Sequence, residues 1–270
     1  MTRFLIVPQW QGSPSARAML LTDGAAAIAG DLPRKDTTVL DVPLEAGESL
    51  GSGVLRLSSL LRVREQVRDA MSGAITDERW VLIGGDCSIT VAALSEIDTT
   101  DLAVLWCDAQ PDLQVPETSP SGAFSGMALS ALLGEGEPRL ALAPGIPRER
   151  VVTLGVRAVD EAEPARHEGI VGISADAVSD ADAIAAAVKA TGASKVWVHI
   201  DVDVLDPSEF EGVSSAAPFG VTVAALAAAI RRVREEVPLA GATIAGFAPR
   251  SPVDAVQDLG AVLRLIGAVA

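Results

Sequence analysis

The sequence predicts an α/β fold in which a mostly parallel sheet of about eight strands carries helices on both faces. The first observation is that short apolar, β-rich runs alternate with helical patterns along most of the chain. Repeated βα units of this kind form parallel sheets with right-handed crossovers. The second observation is that most of these runs are continuously apolar, which is typical of strands covered on both faces.

The predicted strands are residues 4–7, 38–42, 80–83, 102–107, 151–154, 169–173, 195–200 and 242–247. The predicted helices are residues 15–29, 55–71, 88–95, 180–190, 222–236 and 254–269. Thr222 is the expected N-cap of its helix, because a threonine oxygen accepts a hydrogen bond from the first turn. Residues 109–126 contain three prolines and two glycines, so they predict a long loop, which in a compact domain is usually functional. No Pro/Gly/Ser linker divides the chain, and residues 1–270 are therefore expected to form a single domain.

The composition indicates which classes of binding partner are excluded and which cell compartment is expected. The chain has 21 Lys and Arg residues against 36 Asp and Glu residues, a net charge of −15, which argues against nucleic acid and anionic membranes as partners. The first ten residues predict a strand rather than a signal peptide, and no apolar stretch reaches the ~20 residues that span a bilayer. Two cysteines, Cys87 and Cys107, do not make a disulfide framework. A cytoplasmic protein is expected.

Acidic residues follow two of the predicted strands. In VWVHIDVDVLDP, residues 196–207, strand alternation predicts that Asp201 and Asp203 point to the same side. Neighbouring buried carboxylates repel each other unless a metal, a proton or another cation lies between them. Asp108 and Asp112 follow a second apolar strand. Because parallel strands end at one sheet edge, the four carboxylates predict a shared divalent metal site.

A third segment, GGDCSIT, follows another strand at residues 84–90. Its two glycines permit a tight strand-to-helix turn, which places Cys87 at the same sheet edge. The segments GGDCSIT, WCDAQPDLQVPETSPSGAFSGMALSALLG and HIDVDVLDP, in this order, resemble the ureohydrolase family of arginase, agmatinase and formimidoylglutamase. LGVRAVDEAE resembles the family's Gly-x-Arg turn, and APRSPVDAVQDLGAVL resembles its final segment and closing helix.

The resemblance implies an arginase-like three-layer α/β/α fold with an eight-stranded parallel sheet. It also implies hydrolysis of a C–N bond in a small guanidino or amidino compound, a homo-oligomer, and a binuclear manganese site that activates a bridging hydroxide. Asp108 and Asp201 would touch both metals, and both would act in catalysis together with Ser125. The metal-ligand positions implied by the family are Cys87, Asp108, Gln110, Asp112, Asp201 and Asp203.

Four positions depart from the family pattern. Cys87 and Gln110 stand where the family has ligand histidines, Ser125 stands at a histidine that handles protons or substrate, and Gly246 replaces a glutamate that grips the guanidinium group. An amide oxygen is a poorer ligand than imidazole, so one or two ions are expected, with the Gln110 position weak or empty. A cysteine thiolate shifts the preference of its site towards zinc, although Cys87 is equally well interpreted as a buried thiol.

His199 lies two residues before Asp201 and shares its face of the strand. It is interpreted as a partner of a metal-binding carboxylate, as a replacement ligand, or as a buried histidine satisfied by local hydrogen bonds. Two functions remain open at this point. The retained aspartates favour a divergent metal-dependent hydrolase in which Ser125 and Gly246 face the substrate, whereas the four departures favour a non-catalytic relative that serves as a binding or assembly module.

Overall fold

The computed structural model describes residues 1–72, 78–161 and 163–270. Within these ranges, eight strands form one parallel sheet in the order β2-β1-β3-β8-β7-β4-β5-β6. The strands are β1 (Thr2–Ile6), β2 (Thr37–Val39), β3 (Arg79–Ile83), β4 (Leu102–Cys107), β5 (Val151–Leu154), β6 (Val171–Ile173), β7 (Lys195–Asp201) and β8 (Leu239–Ala245). The predicted sheet is confirmed.

Helices cover both faces of the sheet. They are α1 (Leu20–Ala29), α2 (Leu57–Met71), α3 (Ile89–Leu94), α4 (Ala128–Leu132), α5 (Ala181–Ala190), α6 (Val223–Glu236) and α7 (Pro252–Val269). Side chains of α1, α5, α6 and α7 pack on one face, against Val81, Leu105 and Val198. Those of α2, α3 and α4 pack on the other face, against Leu82 and Trp197. The three-layer α/β/α architecture is therefore confirmed.

Side-chain caps fix the start of three helices. Thr222 Oγ1 accepts a hydrogen bond from the Ala225 amide at 3.2 Å, as the sequence predicts. Asp180 caps α5 through the Ala183 amide at 2.9 Å. Ser251 caps α7, which has a proline in its first turn, where a missing N–H costs no helical hydrogen bond.

Several predicted bounds differ from the structure, and three of the differences have a clear physical reason. α1 begins at Leu20 rather than residue 15, because the hydroxyls of Ser13 and Ser15 accept backbone N–H groups and compete with a helical turn. β8 begins and ends earlier than residues 242–247, since Gly246 adopts a φ of 85° that a strand does not accommodate. α4 was not predicted, because its five residues are too short to show a helical period.

The topology brings four strand ends together at the centre of one sheet edge. β3, β8, β7 and β4 are consecutive neighbours in the sheet, although β3 and β8, and likewise β7 and β4, are not consecutive along the chain. Ligands of open α/β sheets bind outside the carboxyl ends of the strands at such switch points. None of the helices in the three described ranges is long and apolar enough to cross a bilayer.

Candidate metal centre and substrate cavity

The predicted ligand residues converge beyond the ends of the central strands. Cys87 precedes α3, Asp108 follows β4, and Asp201 ends β7. The Cys87 Sγ atom lies 2.9 Å from Asp201 Oδ2 and 3.7 Å from Asp108 Oδ2. Asp112 and Asp203 are also buried beside them, and in the part of the chain that the structure describes Asp112 Oδ2 has no hydrogen-bond partner. These five side chains form what we call the thiol–carboxylate cluster: Cys87, Asp108, Asp112, Asp201 and Asp203.

Asp203 reaches the cluster by a different route from the one that alternation predicts. β7 ends at Asp201, and Val202–Val204 form a 3-10 turn. Asp201 Oδ1 accepts the backbone N–H of Asp203 at 2.9 Å, and Asp203 Oδ1 accepts that of Ala109 at 3.2 Å. The strand-face argument for Asp203 is therefore wrong, because a turn capped by Asp201 places the carboxylate there.

Gln110 contacts the cluster as a hydrogen-bond donor. Only one orientation of its amide satisfies its surroundings, and in this orientation the nitrogen donates to Asp203 Oδ2 at 2.7 Å and to Asp108 Oδ1 at 3.3 Å. The backbone N–H of Gln110 also donates to Asp108 Oδ1, at 2.7 Å. The amide thus neutralises part of the carboxylate repulsion where the family resemblance places a ligand imidazole.

His199 lies beneath the cluster and is completely buried. Its ring stacks on Trp106 with centroids 3.6 Å apart, and its Nδ1 atom lies 2.8 Å from Thr90 Oγ1. Its Nε2 atom is 3.9 Å from Asp108 Oδ2 and has no hydrogen-bond partner among the described residues. The interpretation of His199 as a locally satisfied histidine is therefore wrong for one of its two nitrogens.

Burial and mutual repulsion disfavour the charged forms of the cluster's carboxyl and thiol groups. Burial raises the pKa of Asp108 to about 6 and that of Asp201 above its ordinary value. Burial and the Asp108 and Asp201 charges raise the pKa of Asp112 and Asp203 well above the usual range for a carboxyl. Burial, followed by the Asp201 charge, raises the pKa of the Cys87 thiol. A cation would lower each of these pKa values by stabilising the charged forms.

The residues fit one divalent ion better than two. Several possible ligand atoms lie on the Cys87 side. They are the Cys87 thiol, the nearby carboxylate oxygens, and the atoms Asp112 Oδ2 and His199 Nε2, which have no hydrogen-bond partner among the described residues. On the Gln110 side, amide hydrogens already occupy the carboxylate oxygens. A metal there would have to displace a donor and accept a weak ligand in its place.

The cluster opens into a cavity of about 700 Å³. In the described part of the chain, this cavity has no Lys, Arg or His in its wall. Its acidic wall residues are Asp86, Asp112, Asp160, Glu163, Asp201 and Asp203. Because the walls carry carboxylates without compensating cations, the cavity favours a cationic ligand.

The predicted substrate residues Ser125 and Gly246 both line this cavity. Ser125 belongs to the 3-10 turn before α4, and its backbone N–H donates to Gly12 at 2.9 Å. Gly246 has a φ of 85°, and a Cβ atom added to it would lie 2.1 Å from Asp201 Oδ1. No side chain fits at this position while Asp201 keeps its place, so a glutamate cannot grip a substrate from here.

Sequence reasoning assigned no role to the support beneath Cys87. The Asp86 carboxylate accepts hydrogen bonds from Gln9 Nε2, from the Gly12 backbone at 2.9 Å, and from the Ser88 backbone at 3.1 Å. These bonds tie the loop after β1 to the loop that carries Cys87. The position of Asp86 directly before Cys87 could have indicated a role at the site. Its hydrogen bonds to Gln9 and Gly12, more than seventy positions away, could not be predicted from the sequence.

The loop after β7 is fastened by Arg157 of the Gly-x-Arg turn. Its guanidinium donates to the carbonyl oxygens of Asp203 at 2.8 Å, Ala217 at 2.9 Å and Pro218 at 3.0 Å. It also donates to the carbonyls of Gly155 and Leu205. One side chain therefore joins the end of the metal-site turn to the far end of a cavity-lining loop.

A comparison with known sequences agrees with this geometry. The sequence model of the Arginase family matches residues 17–264. The chain belongs to the arginase family. It is 31% identical over 201 residues to an arginase of Staphylococcus aureus (strain MRSA252), covering 69% of this chain and 66% of the relative. It therefore spans slightly less than two thirds of that relative's length, and the modest identity makes this arginase-family protein a divergent member.

Other relatives extend the comparison. The chain is 32% identical over 215 residues to an N(omega)-hydroxy-L-arginine amidinohydrolase of Streptomyces lavendulae, covering 77% of this chain and 74% of that protein. The structure of Entamoeba histolytica arginase in complex with L-ornithine superposes with a TM-score of 0.84 at 20% identity, covering 98% of both chains. Bacillus caldovelox arginase gives 0.81 at 26% identity, covering 99% of this chain and 96% of that one. The arginase-like fold of this family member is confirmed.

Proposed function

We propose that this arginase-family protein is a metal-dependent hydrolase that cleaves a C–N bond in a small cationic guanidino or amidino compound. The observation that supports it best is the thiol–carboxylate cluster, whose buried carboxylates open into an acidic cavity. Relatives named arginase and N(omega)-hydroxy-L-arginine amidinohydrolase support the same reaction class. Homo-oligomeric assembly and a cytoplasmic location stay predictions from the sequence.

A divalent ion bound by Cys87, Asp108 and Asp201 would make water nucleophilic near neutral pH and offset the carboxylate charge. The protein's own groups orient the reactants. The unpartnered Asp112 Oδ2 is available to accept a proton from water, and the Ser125 side chain lines the cavity through which the substrate reaches it. The acidic walls hold the substrate's cationic group by charge, because Gly246 offers none.

The test is hydrolysis by the metal-loaded full chain, followed as urea release and as amine product by mass spectrometry. We expect agmatine-like substrates, which lack a carboxylate, to be cleaved faster than arginine, since no cation lines the described cavity wall. Asp201→Asn should abolish turnover, and Asp69→Asn, at an exposed carboxylate, should not change it. Faster cleavage of arginine than of agmatine would contradict the proposed substrate charge.

A non-catalytic binding or assembly role remains the second candidate. The bonds of Gln110 to Asp203 and Asp108 favour it, since they occupy oxygens that a second metal would need. This candidate predicts that the metal-loaded protein binds cationic amidino compounds in calorimetry without releasing product. Turnover that depends on Asp201 would refute it.

A further inference from the structure

We propose that the ion of this centre is zinc and that His199 is one of its ligands, beside Cys87 and Asp108, with a fourth position that Asp201 and water exchange. The proposal rests on the proposed function only in that the cluster binds a metal. Its starting point is the His199 Nε2 atom, which is buried, lacks a hydrogen-bond partner and faces the cluster. A buried imidazole nitrogen without a partner costs free energy that a metal bond would recover.

The spacing of the donor atoms matches a zinc ion. Ligand atoms of Cys87, Asp108 and His199 all lie within 4.8 Å of one another. Zn–S bonds of about 2.3 Å and Zn–N and Zn–O bonds of about 2.1 Å place tetrahedral ligand atoms about 3.4–3.6 Å apart. The observed distances are 3.7 Å from Cys87 Sγ to Asp108 Oδ2 and 3.9 Å from His199 Nε2 to the same oxygen. These two pairs need to approach by only a few tenths of an ångström, and Asp201 Oδ2, which lies 2.9 Å from Cys87 Sγ, has to move away by about 0.7 Å.

The surroundings of His199 hold the imidazole in a metal-binding orientation. Thr90 Oγ1 lies 2.8 Å from Nδ1, so it can accept the Nδ1 proton and leave the Nε2 lone pair directed at the cluster. Trp106 stacks on the ring and fixes its plane. Metal-binding histidines ordinarily have this second partner on their other nitrogen, which sets both tautomer and orientation.

The chemistry of the donors selects the ion. A thiolate and an imidazole favour zinc over manganese, which prefers oxygen ligands. The Cys87 thiol donates to Asp201 Oδ2 at 2.9 Å. Zinc binding breaks the S–H bond, forms a Zn–S bond and releases the proton to solvent. The Gln110 amide meanwhile keeps its hydrogen bonds on the opposite side of Asp108.

The experiment gives the full chain zinc and manganese together and measures bound metal by mass spectrometry after dialysis. We expect about one zinc per chain and little manganese. His199→Gln should lower zinc affinity by about 100-fold or more, and Thr90→Val by about tenfold, since removing an outer partner costs about 10–100-fold. His167→Gln is the matched control, because His167 bonds to Thr153 away from the cluster, and its affinity should equal that of the unmodified chain.

X-ray absorption at the zinc edge is the second measurement. It should show one sulfur and one imidazole in the unmodified chain and in His167→Gln, and sulfur alone in His199→Gln. If His199→Gln does not fold, the imidazole signal of the unmodified chain and the Thr90→Val affinity decide. Preferential manganese binding, absence of imidazole from the spectrum, or unchanged zinc affinity in folded His199→Gln would overturn the proposal.

The outcomes separate this inference from the proposed function. Zinc bound through His199 without hydrolysis of any cationic amidino compound would refute the function and leave the zinc site standing. Manganese-supported hydrolysis that His199→Gln leaves unchanged would refute the zinc site and leave the function standing.

Discussion

Replacing Gly246 with alanine should weaken metal binding although it adds only a methyl group. The Cβ atom would lie 2.1 Å from Asp201 Oδ1, and real Cβ contacts essentially never fall below 3.0 Å, so the oxygen must move by about 0.9 Å. Metal–ligand distances tolerate only about 0.2 Å. The positive φ adds strain of about 1–2 kcal/mol, which lowers the unfolding temperature by several degrees.

A matched control separates the two effects. Gly192 also has a positive φ, of 74°, but no atom lies within 4 Å of an added Cβ. Gly192→Ala should therefore lose similar stability and keep its metal, whereas Gly246→Ala should lose metal affinity by at least about tenfold. Calorimetric zinc titration and thermal unfolding of both variants supply the data. Unchanged metal affinity in folded Gly246→Ala would show that Asp201 is not a ligand or has room to move.

Three further predictions concern the cluster and its support. Gln110→His should raise the amount of manganese bound per chain in metal analysis, because it replaces the amide donors with a ligand imidazole. The control Gln66→His, on α2, should leave that amount unchanged. An unchanged amount of manganese in Gln110→His would contradict the argument that the Gln110 amide occupies oxygens a metal needs. After metal removal, the protein should unfold at a lower temperature near pH 8 than near pH 6.5, and bound metal should remove this difference. Burial raises the pKa of the cluster carboxyls, so the folded state binds more protons than the unfolded state and its stability falls as pH rises. The pKa of His199 is lowered to about 3, which affects stability only below about pH 6.5. Asp86→Asn should destabilise the fold by about 1–3 kcal/mol in denaturant unfolding, since the Gly12 amide loses its carboxylate, and a change below about 0.5 kcal/mol would contradict this support.

Much of the fold was predictable because local sequence and tertiary environment agree. β4 and β5 have the predicted bounds, since the apolar run of β4 ends at Asp108 and that of β5 ends at Gly155, whose φ of 90° does not fit a strand. Helix ends were less predictable where side chains compete with the backbone. Ser15, for example, accepts the Arg17 amide and delays α1, a contact that helical periodicity does not reveal.

The convergence of the cluster side chains was predictable from the sequence, but their contacts were not. The positions of Cys87, Asp108 and Asp201 follow from the ends of parallel strands, which the sequence shows. The bonds of Gln110 and the unpartnered nitrogen of His199 depend on packing between strands that are distant in sequence. The backbone of Gly246 is likewise a tertiary property, because its φ of 85° and its contact with Asp201 arise only when β7 and β8 pair.

The guanidinium of Arg157 couples the cavity-lining loop after β7 to the turn that carries Asp203. It joins the carbonyl of Asp203 to that of Ala217, at opposite ends of a loop whose residues Ser214 and Ser215 line the cavity. A planar guanidinium with several donors holds this arrangement rigidly. A ligand that displaces the loop would therefore also displace the turn of Asp203. If the cavity binds a ligand and the cluster binds an ion, thermodynamic linkage makes the effect reciprocal. The factor by which the ligand changes the affinity for the ion equals the factor by which the ion changes the affinity for the ligand.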